Sequence, residues 1–422
     1  MLEFSRLQKG ELMRGKSPLI KLRDSMRNEG VLPSGRVASP SPQKIAQQNL
    51  PLPPLCIPLG RGPFQNNGAT PWYAQLQLGT PGQSLKIALD TGSNFIWTTS
   101  TYCHPTSCIH AGNGRFNPAD SSSFQRSGSS PKVVDFGPWG EMHVKAGFDD
   151  VCLKPSNAPF LEFYLSEEYK GTQFAQLDWD GGLGIPSGSD YADPDCSLLP
   201  AQLMDVGLTN PDLPYISFAT DPVTKKGYVT FGAPNPSEFD PHSGIFLPWT
   251  PYTAFPQVKY IWSTPLARYS IGTYQVTNVQ FCLDSGSSQF KGDDSIMAST
   301  LAQIKQLPEA LLRMQIGTTA EGNQGEIVIP PEVYNVKIEA GPQREKILPQ
   351  FNPLGLTDLV LVGSVLMDHL YTVYVYEVVV SDAGHILSPV GMYVFNKKDG
   401  LPVIRSSSAQ VFTFAPRIVA NL

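Results

Sequence analysis

The sequence predicts a mostly β protein built from two related halves, and three observations lead there. The first is composition: 37 glycines and 39 prolines stand among 422 residues, and charged residues make up only 16%, against roughly 25% in an average globular chain. Coiled coils, helical repeats and long surface helices need many charged helix formers and few breakers, so they are excluded. A hydrophobic content of 41% is enough for a large core, which excludes wholesale disorder. The second is texture. Short alternating runs such as WYAQLQLG, SLKIALD and GYVTFG are separated by Gly, Pro and Asn clusters, as half-buried strands are. The third is an internal repeat of Asp-[Thr/Ser]-Gly-Ser, once in each half.

Residues 1–57 differ from the rest. They are basic and then rich in Ser, Pro and Gln (VASPSPQKIAQQNLPLPPL), which reads as a leader followed by an extended linker. Its opening, MLEFSRLQKGELMRGK, has no apolar core of the signal-peptide kind. Strand signals begin near Pro71. The best helical signals are SLLPAQLMDVG (197–207) and IMASTLAQIKQL (296–307), and a break, APNPSEFDPHSG (233–244), divides the halves. The expected organisation is a leader over 1–57, a first lobe over 58–238, a second over 239–400 and a tail over 401–422.

Charge narrows the partners. Residues 1–50 carry nine Lys or Arg and four acids, while the whole chain is at −6, so the body after the leader is strongly acidic. An acidic body is a poor match for nucleic acid or an anionic membrane. The longest apolar run, around Leu359 to Leu366, is far short of the ~18 residues of a membrane span.

The repeat carries the chemistry. Residues 88–97 read ALDTGSNFIW and residues 281–290 read FCLDSGSSQF. An apolar, glycine-bearing strand follows each: Gly184 comes 94 residues after Asp90, and Gly363 comes 79 after Asp284. The tetrapeptide is expected by chance only about 0.03 times in such a chain. A strand ending in Asp before a tight glycine turn fixes a carboxylate at a loop tip. Two such loops from related halves can set Asp90 and Asp284 face to face. Like charges that close cannot both ionise, so the pair shares a proton, one member serving as general base and the other as general acid. The hydroxyls of Thr91 and Ser285 can cross-link the two loops, and those of Ser93 and Ser287 can bond the carboxylates and hold them coplanar. A single Asp-Thr-Gly would be read as an ordinary turn; the duplicated set is not.

On these residues the sequence resembles the bilobal pepsin-like aspartic peptidases over roughly residues 70–400. Asp90-Thr91-Gly92-Ser93 with Trp97 downstream, Asp284-Ser285-Gly286-Ser287, the Gly184 and Gly363 strands, LGTPGQ (78–83) and TFGAPNP (230–236) all match. The resemblance implies the all-β acid protease fold with a cleft between two pseudo-symmetric lobes. It implies an acid-pH endopeptidase acting as a monomer on peptides, with no cofactor and no metal. It also implies a secreted or other oxidising, acidic compartment, with a cytoplasmic site as the alternative. The flap hairpin falls in VVDFGPWGEMHVKAGFDDV (133–151), where Phe136, Gly137, Trp139 and Gly140 stand without the family's usual Tyr. Trp139 could offer an N–H in its place; Phe136 could only pack. Ser364 follows the second glycine strand where the family often has Asp, and the second lobe lacks the usual cysteine pair. A basic leader in this family commonly lies across the acidic cleft as a propeptide; the alternative is a solvated tail.

Cys103 and Cys108 are spaced like the family's first-lobe disulfide. With His104 and His110 they also allow a zinc knuckle or two free thiols. Cys56, Cys152 and Cys196 are open to pairing among themselves, and Cys282 reads as a buried small hydrophobe. The altered flap keeps two other functions in view: a peptide- or ligand-binding protein with weak or no proteolysis, and a non-peptidase enzyme reusing the acid pair.

Overall fold

A computed structural model describes residues 52–104, 106–136, 140–153, 158–417 and 420–421. Strands dominate it and, apart from the small pair Asn335–Lys337 and Ile347–Pro349, join one large mixed sheet. Among the described residues the longest helix is Asp294–Gln306, capped by Asp293, whose side chain accepts from the Ser295 and Ile296 amides. The other expected helix is present as Leu199–Asp205. No helix among the described residues is long and apolar enough to cross a membrane.

Local alternation becomes sheet pairing directly. Trp72, Ala74, Leu76 and Leu78 face the core from strand Trp72–Leu78, which pairs antiparallel with Gln83–Asp90 in the register Ala74↔Ile87. Strand Gln83–Asp90 then runs parallel to Gly181–Gly184, with Asp90 opposite Gly184, and Ile96–Thr98 closes antiparallel on the other side. The second lobe repeats this. Val279–Leu283 runs parallel to Leu359–Val362, and Phe290–Gly292 pairs antiparallel with the latter. Glycine is required beneath both loops by close approach. A Cβ on Gly184 would lie 2.7 Å from Phe95 N, and one on Gly363 would overlap the Ser287 carbonyl.

The lobes share a continuous stretch of sheet. Leu55–Arg61 pairs with Lys226–Phe231 and with Trp72–Leu78. Tyr215–Asp221 pairs with Lys226–Phe231 on one side and with Leu370–Ser381 of the second lobe on the other. Trp262 is fully buried and donates its indole N–H to Ile185 O at 2.9 Å, across the lobes.

Two expected boundaries move. The first strand opens at Leu55, so the last three residues of the expected 1–57 leader belong to the sheet; residues 1–51 lie outside the described residues. The stretch from 401 is not a peripheral tail. Val403 and Ile404 are buried, and both of their amides donate to Asn396 Oδ1, at 2.9 and 2.8 Å. Phe412 and Phe414 pack on Tyr393 and Phe395, and Ala420–Asn421 pairs with Val379 and Val380. Aromatic residues spaced through a proline-flanked end give no periodic signal, which is why this packing was not legible.

Candidate active site

Each Asp-[Thr/Ser]-Gly-Ser loop folds on its own carboxylate. The Gly92 amide donates to Asp90 Oδ1 at 2.8 Å, and the Gly286 amide to Asp284 Oδ1 at 2.9 Å. The loops interlock by reciprocal bonds. The Thr91 amide donates to Ser285 Oγ (3.0 Å) and the Ser285 amide to Thr91 Oγ1 (2.9 Å). Each hydroxyl passes its own proton to the opposite lobe: Thr91 to Leu283 O at 3.2 Å, Ser285 to Leu89 O at 2.6 Å. Each carboxyl thereby comes to rest over the other loop's glycine. A Cβ on Gly92 would overlap the Asp284 carboxyl, and one on Gly286 the Asp90 carboxyl. The turn glycines leave the space in which the two acids meet.

These links are buried, so breaking one leaves groups unsatisfied. Ser285→Ala removes the donor to Leu89 O and the acceptor of the Thr91 amide at once, and is expected to lower stability by about 2–3 kcal/mol. Urea unfolding at acidic pH measures it; a loss within experimental error would mean the interlock contributes nothing.

Burial raises the Asp90 pKa well above the ordinary carboxylate range. The Asp284 charge raises it further, as does the hydrogen bond between the two side chains. The surroundings of the two acids are not symmetric. Ser287 donates to Asp284 Oδ2 at 2.6 Å. Ser93, expected to do the same for Asp90, is near enough to favour its charged form weakly but makes no hydrogen bond of good geometry. Burial pushes the Tyr260 phenol up, with both acids adding to the effect; burial and Asp284 push the Cys282 thiol up. Cys282 is thus an inert core thiol beside the pair.

The expected flap falls on the hairpin of Lys132–Asp135 with Glu141–Cys152. Gly137 and Trp139 lie outside the described residues. Phe136 turns inward against Phe95, Trp97 and Phe174, with ring centroids 5.5, 5.8 and 5.4 Å away. Trp97 is 3% exposed and also touches Tyr169 and Trp179. It packs beneath this hairpin and presents little surface of its own. Gly140 turns the hairpin at φ +105°, where a Cβ would overlap the Lys170 carbonyl.

Cys103 and Cys108 form a disulfide with Cα atoms 6.0 Å apart. That removes the thiolates a zinc knuckle would need, and the His110 ring is turned instead to Asp180, with Nε2 to Oδ1 at 2.8 Å. Cys56 and Cys196 are free thiols, so the pairings open among Cys56, Cys152 and Cys196 do not form. Sequence reasoning missed Tyr260 and Lys291, which both come close to the acid pair. The second had a signal: a lysine in the short apolar stretch QFKG, seven residues after Asp284.

This fold and this loop pair define an aspartic protease architecture, and the chain belongs to the eukaryotic aspartyl protease family, whose profile matches residues 71–379. Gastricsin of Homo sapiens is 24% identical over 234 residues, covering 54% of this chain and 57% of gastricsin. Chymosin of Camelus dromedarius is 30% identical over 243 residues, covering 56% and 59%. A shorter stretch of 121 residues, 28% of this chain and 30% of the relative, is 36% identical to gastricsin of Cavia porcellus. In each case the match spans less than two thirds of the relative's own length.

Proposed function

We propose that the protein is an endopeptidase that hydrolyses peptide bonds at acidic pH, with Asp90 and Asp284 as its catalytic residues. The observation that carries this reading is the pair itself: two carboxyls from two interlocked loops, each over the other's glycine, with the Asp90 pKa raised by burial and by its partner. Asp90 holds the shared proton. Asp284, bonded by the Ser287 hydroxyl and the Gly286 amide, carries the charge, because hydrogen bonds donated to a carboxylate favour it. Asp284 takes a proton from the attacking water while Asp90 gives its own to the carbonyl oxygen of the scissile peptide. The tetrahedral species then collapses as Asp284 passes the proton it took to the leaving nitrogen, while Asp90 recovers its own from a hydroxyl of the diol. The hydroxyl links through Thr91 and Ser285 hold the geometry, and the flap through Phe136 covers the substrate.

The test is incubation of the purified protein with a denatured protein at about pH 3–5, with and without a statine-type inhibitor. Fragments suppressed by the inhibitor are expected; an intact substrate across the range would overturn the peptidase reading. One observation favours a second reading, a peptide-binding protein with weak proteolysis: Phe136 brings no hydroxyl to the flap, and its side chain is seated by packing on Phe95, Trp97 and Phe174. The Cys103–Cys108 disulfide supports an oxidising compartment.

The basic leader is proposed as an inhibitory segment held by the acidic body. Its attraction needs ionised carboxylates, which are lost as pH falls through about 4, while Lys and Arg stay charged. Because Leu55–Ile57 are strand residues paired with Val229–Phe231, the right comparison is full-length protein against a version starting at Leu52. The shorter form is expected to be more active near neutral pH, with the difference vanishing on acidification. Equal turnover throughout would reduce residues 1–51 to a tail.

A further inference from the structure

Beside the acid pair lies a cation that the proposed chemistry does not use. Lys291 sits in strand Phe290–Gly292, paired with Leu361 on one side and Asn352 on the other, and is only 8% exposed. A strand between two others needs nothing charged at such a position. Its Nζ donates to Gly68 O at 2.7 Å and to Ser287 Oγ at 3.1 Å. Ser287 has one hydroxyl proton and gives it to Asp284 Oδ2, so the lysine must be the donor and the serine the acceptor. The polarity Lys291 to Ser287 to Asp284 is therefore fixed. The two bonds put Nζ less than about 6 Å from Asp284 Oδ2, a range at which opposite charge acts on a carboxyl.

The opposite lobe makes room for this group. Gly68 has φ +85°, and a Cβ there would lie 2.9 Å from Nζ. Its segment is anchored over the second loop by the Thr70 amide to Gly286 O (2.8 Å) and the Ser288 amide to Gly68 O (3.0 Å).

We propose that Lys291 is a positioning residue for the acid pair, an ammonium that acts through Ser287 to hold Asp284 as the charged member and so keeps the pair competent at the acid end of its range. The proposal rests on the peptidase reading above. Burial lowers the Lys291 pKa and the charges of Asp284 and then Asp90 raise it; at acidic pH the group is an ammonium. The other titratable groups facing the pair are the Tyr260 and Tyr374 phenols and the Cys282 thiol, all pushed up by burial and neutral in acid. The remaining polar neighbours, Gln289 with Asn66, Gln350 and Asn352, do not titrate. Lys291 is thus the one positive charge among the groups facing the pair in the described residues.

The sign follows. A cation favours the ionised pair, so its removal lets the pair take up its second proton at higher pH, and a pair with both members protonated has no base. In Lys291→Met and Lys291→Gln the acid limb of the kcat/KM profile is expected to move up by about half a pH unit or more, with activity on the plateau largely kept. Lys291→Gln retains a donor for Gly68 O and Ser287 without the charge. If Lys291 were only a tie between lobes, the glutamine variant would match the parent and the methionine variant would lose activity evenly at all pH values; either pattern overturns the proposal. Carboxyl carbon resonances of ¹³C-aspartate-labelled protein, assigned with Asp90→Asn and Asp284→Asn, give a readout that needs no turnover. An upward shift of the pair's lower midpoint in both variants supports the role, and an unchanged midpoint refutes it. That readout also keeps a failure of this proposal distinct from a failure of the peptidase reading, which inactive parent protein with an intact Lys291 effect would reveal.

Discussion

Replacing either aspartate by asparagine is expected to reduce kcat/KM by about 10³-fold or more while leaving the fold intact, because one carboxyl cannot be both acid and base. Near-parental turnover in either variant would sink the catalytic assignment. Stability gives the same substitution a second, independent signature. Burial and Asp284 raise the Asp90 pKa in the folded protein, so the folded state binds the shared proton more tightly than the unfolded chain does. The stability from that proton is complete below the ordinary carboxylate range and is lost as pH rises through the pair's elevated value. Asp90→Asn removes the titration and the like-charge repulsion together. Its Tm should match the parent's in acid and exceed it at neutral pH. A variant that is less stable than the parent at neutral pH would mean the two carboxyls do not oppose one another.

A second large effect is expected far from the cleft, at Glu162. This residue of strand Phe160–Lys170 is fully buried. Burial pushes its carboxyl up to about 7, opposed by nearby Ser127 and reinforced by Asp195 and Asp193. The folded state again holds the proton more tightly. Its contribution is whole below the usual glutamate range and disappears as pH climbs from there toward 7, a span worth about 3 kcal/mol. Glu162→Gln cannot lose that proton and should be more stable than the parent by this amount above pH 7, with little difference near pH 4. Denaturant unfolding at the two pH values decides it; equal differences at both would show that Glu162 stays protonated throughout or is not buried as described.

What could be read in the chain beforehand was what repeats or alternates. Asp90 and Asp284 stood out because the same apolar-Asp-hydroxyl-Gly pattern came twice, and Gly184 and Gly363 because each ended an apolar run at a matching distance. Strands Trp72–Leu78 and Gln83–Asp90 announced themselves as short alternating runs between turn-forming clusters. Lys291 was not found, since its role depends on Gly68 in the opposite lobe, and no local pattern encodes a partner that far along the chain. Glu162 was missed for the opposite reason: it looks like the polar residue of an ordinary alternating strand, and only the packing above it shows that this face is covered too. The asymmetry between Ser93 and Ser287 was likewise invisible, because the two motifs are nearly the same in letters and differ only in where the hydroxyls come to rest.

The strand Tyr215–Asp221, hydrogen-bonded to the second lobe through Leu370–Ser381, sets how the chain can be cut or synthesised. A first lobe made alone would end with that strand unpaired along one side, a row of free amides and carbonyls flanked by Tyr215, Ile216 and Phe218, all buried in the whole molecule. Such an edge is a template for pairing with any other extended chain. During synthesis the first lobe emerges long before residue 370, so for that interval the edge is open. The duplicated halves therefore look like separable units in sequence, yet the first keeps an open pairing edge until the second covers it.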